Sequence, residues 1–220
     1  MNEIKAVIFD LDGVLTDTAE YHYLGWQRLA DEEGIPFDRE AGDALRGVAR
    51  RDSLLSILDG RPATEDQLQE MMDRKNRYYV ESLSQIDASA ILPGVADLLD
   101  QAHAAGLLTA VGSASMNAVM VLERLGIADR FDAIADGNTV TVHKPAPDLF
   151  LAVAAELGVT PAEAAVFEDA ASGVEAALAG GFATVGLGPA DRVGDAHLVY
   201  GDLRGITLER ILTDIASLPG

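Results

Sequence analysis

The chain has 220 residues, 49% of them hydrophobic, no cysteine and a formal net charge of −20. That size suits one sizeable domain, or a core domain with a smaller insert. No apolar run reaches the roughly 20 residues of a membrane span, disulfides and thiolate chemistry are excluded, and the acidic surface repels nucleic acid and anionic membranes.

The N-terminus leads straight into an apolar run, residues 4–9, without the layout of a signal peptide. A cytoplasmic protein is therefore expected. The run reads as a buried parallel strand and ends in two carboxylates, Asp10 and Asp12, followed by Gly13. Burying two acids at a strand tip costs too much desolvation energy to serve packing. They imply a cation, a reaction, or both.

Residues 17–88 carry only helical patterns, over 18–33, 39–46, 50–59 and 64–84. Asp38, Arg50-Arg51-Asp52 and Thr64-Glu65 supply starts, and Gly34 and Gly60 supply stops. Eight of the 16 Lys and Arg residues fall between positions 39 and 77. Such a cluster is either a solvated helical face or an anion-binding wall. Beyond it, strands at 107–112, 132–135, 164–168 and 183–187 alternate with helices at 94–105, 115–125, 147–157 and 171–180. This predicts a doubly wound parallel sheet, α/β and Rossmann-like, with an inserted all-helical unit. The expected division is a core of 1–16 plus 89–220 and an insert of 17–88. Linkers near 14–18 and 86–92 would form a hinge.

Further polar residues sit at strand-to-helix junctions. Gly112-Ser113-Ala114-Ser115 offers a hydroxyl and free N–H groups to an anion, although a serine there is also an ordinary N-cap. Lys144, one of three lysines, precedes the helix that Pro147 opens. Glu168-Asp169 ends an apolar strand, and its hard oxygen donors suit Mg²⁺. Each signal alone is modest, but their order places them together at one sheet edge.

In that order the sequence resembles the haloacid dehalogenase superfamily of phosphoryl-transfer enzymes, with Asp10-Leu11-Asp12-Gly13-Val14, Ser113, Lys144 and Glu168-Asp169 as its four motifs. The insert resembles that superfamily's mobile cap. Within the superfamily the likeness extends to the β-phosphoglucomutase family. It is carried by Thr16 to His22, Trp26, Leu45-Arg46-Gly47-Val48, Arg50, Asp52-Ser53-Leu54, Arg74-Lys75-Asn76, Ser113 to Ser115, Asn117 and Lys144 to Asp148.

The resemblance implies Asp10 as nucleophile and Asp12 as general acid/base. It implies Mg²⁺ on Asp10, the Asp12 carbonyl, and Glu168 or Asp169. Ser113, the Ala114 N–H and Lys144 would bind the transferring phosphate. Thr18, His22, Trp26, Leu45, Arg46, Gly47, Val48, Ser53 and Lys75 would face the sugar from the cap or its linker. Arg50, Ser115 and Asn117 would hold the phosphate that is not transferred. The implied substrate is a phosphorylated sugar, the implied reaction the interconversion of β-D-glucose 1-phosphate and glucose 6-phosphate, and the implied state a monomer without nucleic-acid or membrane partners. One departure stands out: Met116 occupies a position where the family usually has a lysine. A phosphatase acting on a small sugar phosphate or phosphoglycolate is the alternative, and a non-catalytic metabolite-binding protein is the third class.

Overall fold

The computed structural model describes residues 3–218. Its six strands are β1 (Ala6–Phe9), β2 (Leu108–Gly112), β3 (Ala133–Ala135), β4 (Ala164–Glu168), β5 (Ala183–Leu187) and β6 (Leu198–Tyr200). They form one parallel sheet in the order β3-β2-β1-β4-β5-β6. β1 is bonded on both edges and all four of its residues are buried. This explains why the sequence shows an unbroken apolar run there and no alternation. Val7 and Phe9 join one apolar layer, and Ala6 and Ile8 join the other. Phe9 stacks on Phe167 with ring centroids 4.8 Å apart, tying β1 to β4.

The α-helices among the described residues are α1 (Ala19–Glu33), α2 (Arg39–Asp43), α3 (Arg50–Leu58), α4 (Glu65–Ser82), α5 (Val95–Ala104), α6 (Ala118–Leu125), α7 (Asp148–Leu157), α8 (Ala171–Ala179), α9 (Ala190–Val193) and α10 (Leu208–Ala216). α1 to α4 come from the insert. Trp26, Leu29, Ile35, Leu54, Ile57, Leu58 and Leu68 give it an apolar cluster separate from the two layers of the sheet. Local signals set its helix ends. Gly34 closes α1 in the left-handed conformation, Asp38 accepts from the Ala41 N–H, and Thr64 and Gln67 form a capping box. None of the helices is long and apolar enough to cross a membrane among the described residues.

The two expected linkers are tied to each other. Leu92 N–H donates to Leu15 O at 2.9 Å, and the Thr16 hydroxyl donates to Ala90 O at 2.8 Å. The C-terminal end of α4 belongs to the sheet's core: Tyr79 and Leu83 are fully buried in the layer that holds Phe9 and Leu15.

Some expectations need correction. The helix foreseen over 39–46 stops at Asp43, and the chain turns through Arg46 and Val48. The helix foreseen from 115 begins at Ala118, because Ser113 to Asn117 form a tight loop bonded through the Ser113 and Ser115 hydroxyls. β6, α9 and α10 were not foreseen. β6 is a three-residue edge strand with mixed exposure, too short to show a period. α10 did carry a signal: Thr207 caps Arg210, and Leu208, Ile211 and Ile215 lie buried on one face.

Candidate active site

Sheet order fixes where the polar residues meet. The chain winds from β1 to β3 on one side and crosses back to β4 on the other, so a crevice opens beyond the carboxyl ends of β1 and β4. Asp10 follows β1, and its N–H still pairs with Phe167 O at 2.9 Å. Lys144 Nζ, buried beneath, donates to Asp10 Oδ1 and Glu168 Oε1, both at 2.6 Å, and to Gly112 O at 3.2 Å. The other Asp10 oxygen accepts the Asp12 N–H at 2.9 Å. Burial pushes the Asp10 carboxyl up to about 6; Lys144 opposes the shift and Glu168 adds to it. Burial also works against the Lys144 ammonium, but Asp10 and Glu168 together hold its pKa above the usual lysine range.

The sequence leaves Glu168 and Asp169 equivalent, and the structure separates them. Both Glu168 oxygens are engaged, one by Lys144 and one by the Ala170 N–H at 2.8 Å. The Asp169 carboxylate lies against Gly13. That residue has φ +84°, and a Cβ there would collide with it. Burial, then Glu168 and Asp10, push Asp169 up to about 8.

Asp12 points the other way, into a cavity of about 150 Å³ closed on its far side by α1, α3, α4 and the turn after α2. Its carboxylate is 27% exposed, to that cavity. Thr18 donates to Asp12 Oδ1, and His22 Nε2 faces Oδ2 at 3.7 Å. Lys75 Nζ lies 2.8 Å from His22 Nδ1. An ammonium there donates to Nδ1, which leaves the ring proton on Nε2, toward Asp12. Burial, followed by Lys75 and Arg50, drives His22 well below the usual histidine range, so the ring is neutral. Burial and then Arg50 lower Lys75 to about 7. Burial and the Asp10 charge raise Asp12 to about 8, against Lys75 and Lys144.

Trp26, Leu45, Arg46, Gly47, Val48, Arg50 and Ser53 line the same cavity, with Ala114, Ser115 and Met116 on the sheet side. Arg50 and Arg51 part company as neighbours on a helix must: Arg51 pairs with Glu65 at 2.8 Å in solvent, while Arg50 faces the cavity without an acidic partner among the described residues. Arg46 crosses to Asp169 Oδ2 at 3.4 Å. Gly47 has φ +70°, and a Cβ there would come within 2.9 Å of Ser172 Oγ and Ala170 Cβ, so the turn after α2 seats directly on the start of α8. Ser113 and Lys144 are buried and do not line the cavity, and Asn117 turns its amide to Asn76 Oδ1 at 2.9 Å.

Two residues went unforeseen. Arg192, from α9, donates to Asp169 O at 2.7 Å and approaches its carboxylate at 3.5 Å. A lone arginine on a four-residue helix that was not foreseen gave no cue. Tyr79 is fully buried, and its ring lies 4.0 Å from that of His22. A tyrosine inside the helical pattern of 64–84 carries no cue of its own.

Comparison with known proteins agrees with this geometry. Residues 4–181 match the family described as haloacid dehalogenase-like hydrolase. The chain is 44% identical over 210 residues to the β-phosphoglucomutase of Bacillus subtilis, covering 94% of this chain and 93% of that one. It is 32% identical to a phosphorylated carbohydrates phosphatase of Thermotoga maritima, covering 81% and 82%. The crystal structure of β-phosphoglucomutase from Clostridium difficile superposes with a TM-score of 0.94 at 37% identity, over 97% of each chain.

The family implies a divalent metal, and the residues fit one. The donors are all hard oxygens. Burial first, and then a neighbouring carboxylate (Glu168 for Asp10, Asp10 for Asp12, Glu168 and Asp10 for Asp169), raises the pKa values of Asp10, Asp12 and Asp169, and a cation would relieve that repulsion. Among the described residues, no three acidic or histidine side chains form a ready-made cage, so main-chain oxygens or water would complete the set. The crevice, its acid–lysine core and its helical lid thus make the chain an enzyme of the haloacid dehalogenase-like hydrolase family, on the β-phosphoglucomutase branch.

Proposed function

We propose that the chain interconverts β-D-glucose 1-phosphate and glucose 6-phosphate through an aspartyl phosphate on Asp10 and a bound 1,6-bisphosphate. The observation that carries this reading is Asp12: a carboxylate raised to about 8 that opens onto a cavity closed by the insert. A phosphatase also needs a proton for its leaving oxygen, but it discharges the phosphoenzyme to water. A mutase must relay the proton to and from a second sugar hydroxyl in a site that keeps water out.

The roles follow from position. Asp10 Oδ2 attacks phosphorus while Lys144 fixes Oδ1. Asp12 gives its proton to the departing sugar oxygen and later takes one from the attacking hydroxyl. The Thr18 and His22 contacts hold that carboxyl toward the sugar. Ser113, the Ala114 N–H and Lys144 receive the equatorial oxygens. Arg50 and Ser115 take the distal phosphate, and Trp26, Leu45, Val48 and Ser53 wall the sugar. A divalent cation, Mg²⁺ on the hardness of these donors, would be held by Asp10, Asp169 and the Asp12 carbonyl and would supply charge neutralisation at the transferring phosphoryl group.

This arrangement has a thermodynamic signature. Asp10, Asp12 and Asp169 have folded pKa values above their unfolded ones, so their contribution is fully present at low pH and is lost as pH rises through about 6 to 8. His22 acts in the opposite sense, as one group against three. In chelator the melting temperature should fall between pH 5 and 7. Millimolar Mg²⁺ should remove that fall, and the same fall with and without Mg²⁺ would count against the metal assignment.

Met116 favours a second reading. It lines the cavity where the family usually has lysine, leaving one cation fewer for a second phosphate, as a phosphatase of small sugar phosphates would need. Incubation with Mg²⁺, β-glucose 1-phosphate and a trace of glucose 1,6-bisphosphate separates the two. Glucose 6-phosphate should accumulate well ahead of inorganic phosphate. Rapid phosphate release without isomer sinks the mutase reading.

A further inference from the structure

Tyr79 is a buried polar group that none of these roles absorbs. It has no solvent exposure, and among the described residues no partner meets its hydroxyl in hydrogen-bond geometry. A buried hydroxyl left unpaired carries a desolvation cost that phenylalanine would avoid. Its surroundings are those of the site. The ring lies 4.0 Å from His22, and the Lys75 ammonium sits 5.0 Å from its centroid. The hydroxyl lies beside the Thr18 and Ser115 side chains, within the field of the Asp12 carboxylate. Thr18 spends its own proton on Asp12, and neither neighbour completes a bond to Tyr79. Three parts of the molecule therefore meet at one unpaired oxygen: the linker through Thr18, the sheet through Ser115, and the insert through α4.

We infer that Tyr79 is a positioning residue whose hydroxyl gains its hydrogen bond only in the loaded enzyme, linking Thr18 or Ser115 to the occupied phosphate site while its ring holds the His22–Lys75 pair toward Asp12. The inference rests on the mutase reading for the identity of the ligand. It assigns Tyr79 no proton transfer. Its hydroxyl has a pKa pushed above the usual tyrosine range, by burial first and Asp12 second, so it stays protonated and available as a donor.

Tyr79→Phe removes the oxygen and keeps the ring. The unliganded variant should melt at or above the wild-type temperature, because no bond is lost. Its isomerisation kcat should fall roughly tenfold, the worth of one hydrogen bond, with KM for β-glucose 1-phosphate changed less and more inorganic phosphate released per isomer. Binding is read without turnover in an Asp10→Asn background, where glucose 1,6-bisphosphate with Mg²⁺ should raise the melting temperature less when Tyr79→Phe is also present. Tyr79→Leu, which also removes the ring, should lower kcat further. An unchanged isomer-to-phosphate ratio together with an unchanged ligand-induced shift would overturn the inference, whatever the unliganded stability. If the wild type forms no isomer, the mutase reading fails separately, and the ligand-induced shift still decides the role of Tyr79.

Discussion

Asp10→Asn should abolish phosphoryl transfer, with kcat down by roughly 10⁶, the scale seen when a nucleophile is removed from a preorganised site. The amide is isosteric, but its oxygen is a poor nucleophile. Structure should survive the change. Lys144 keeps Glu168 at 2.6 Å and Gly112 O at 3.2 Å, and the charge that raises both Asp12 and Asp169 is gone. The metal-free variant should therefore melt no lower than the wild type at pH 7. Radiolabelled donor phosphate should leave no acid-stable, hydroxylamine-labile label on the variant. Label that persists at wild-type levels would move the nucleophile elsewhere.

Asp12→Ala should cost about 10²–10⁴ in isomerisation, the usual range for general acid–base catalysis. It should spare reactions whose leaving group needs no proton. Cleavage of an aryl phosphate with a good leaving group should fall far less, because Asp10, Lys144 and Ser113 remain in place. Equal losses on both substrates would make Asp12 a structural carboxylate. In the wild type, the step that protonates the leaving oxygen should weaken as pH rises past about 8, where the carboxyl loses its proton. That limb should vanish from the pH profile of Asp12→Ala. Histidine is not its source, since His22 is held neutral well below that pH.

How much of this was legible in the sequence depended on which physical signal each part left. The central strands were readable because burial on both faces produces unbroken apolar runs, as in β1 and β4. The acids at the ends of β1 and β4 were readable because buried carboxylates have no packing rationale, whereas Ser113 and Lys144 were modest signals alone and were read from their order along the chain and the family resemblance. The helices of the insert were bounded by caps that are local chemistry, such as Asp38 and the Thr64–Gln67 box. What escaped depended on distance. Nothing near Glu168 in the sequence says that Lys144 and the Ala170 N–H will occupy both its oxygens. Arg192 acts on Asp169 from 23 positions away. Tyr79 looks like core, and is core, apart from one atom. Asn117 carries a family expectation, yet its amide is satisfied by Asn76.

The stitching of the two linkers has a consequence for fidelity. Thr16 and Leu15 bind Ala90 and Leu92, so the two crossings bend as one ribbon. Thr18 stands two residues along the same strand of that ribbon and holds Asp12, while His22 follows on α1. On the proposed mechanism, a swing of the insert that admitted solvent to an aspartyl phosphate would also draw His22, on α1, away from the carboxyl it faces. The site would then act as an interlock: the motion that opens the door would disarm the proton shuttle, and a sugar that drew the insert shut would restore the alignment before reacting.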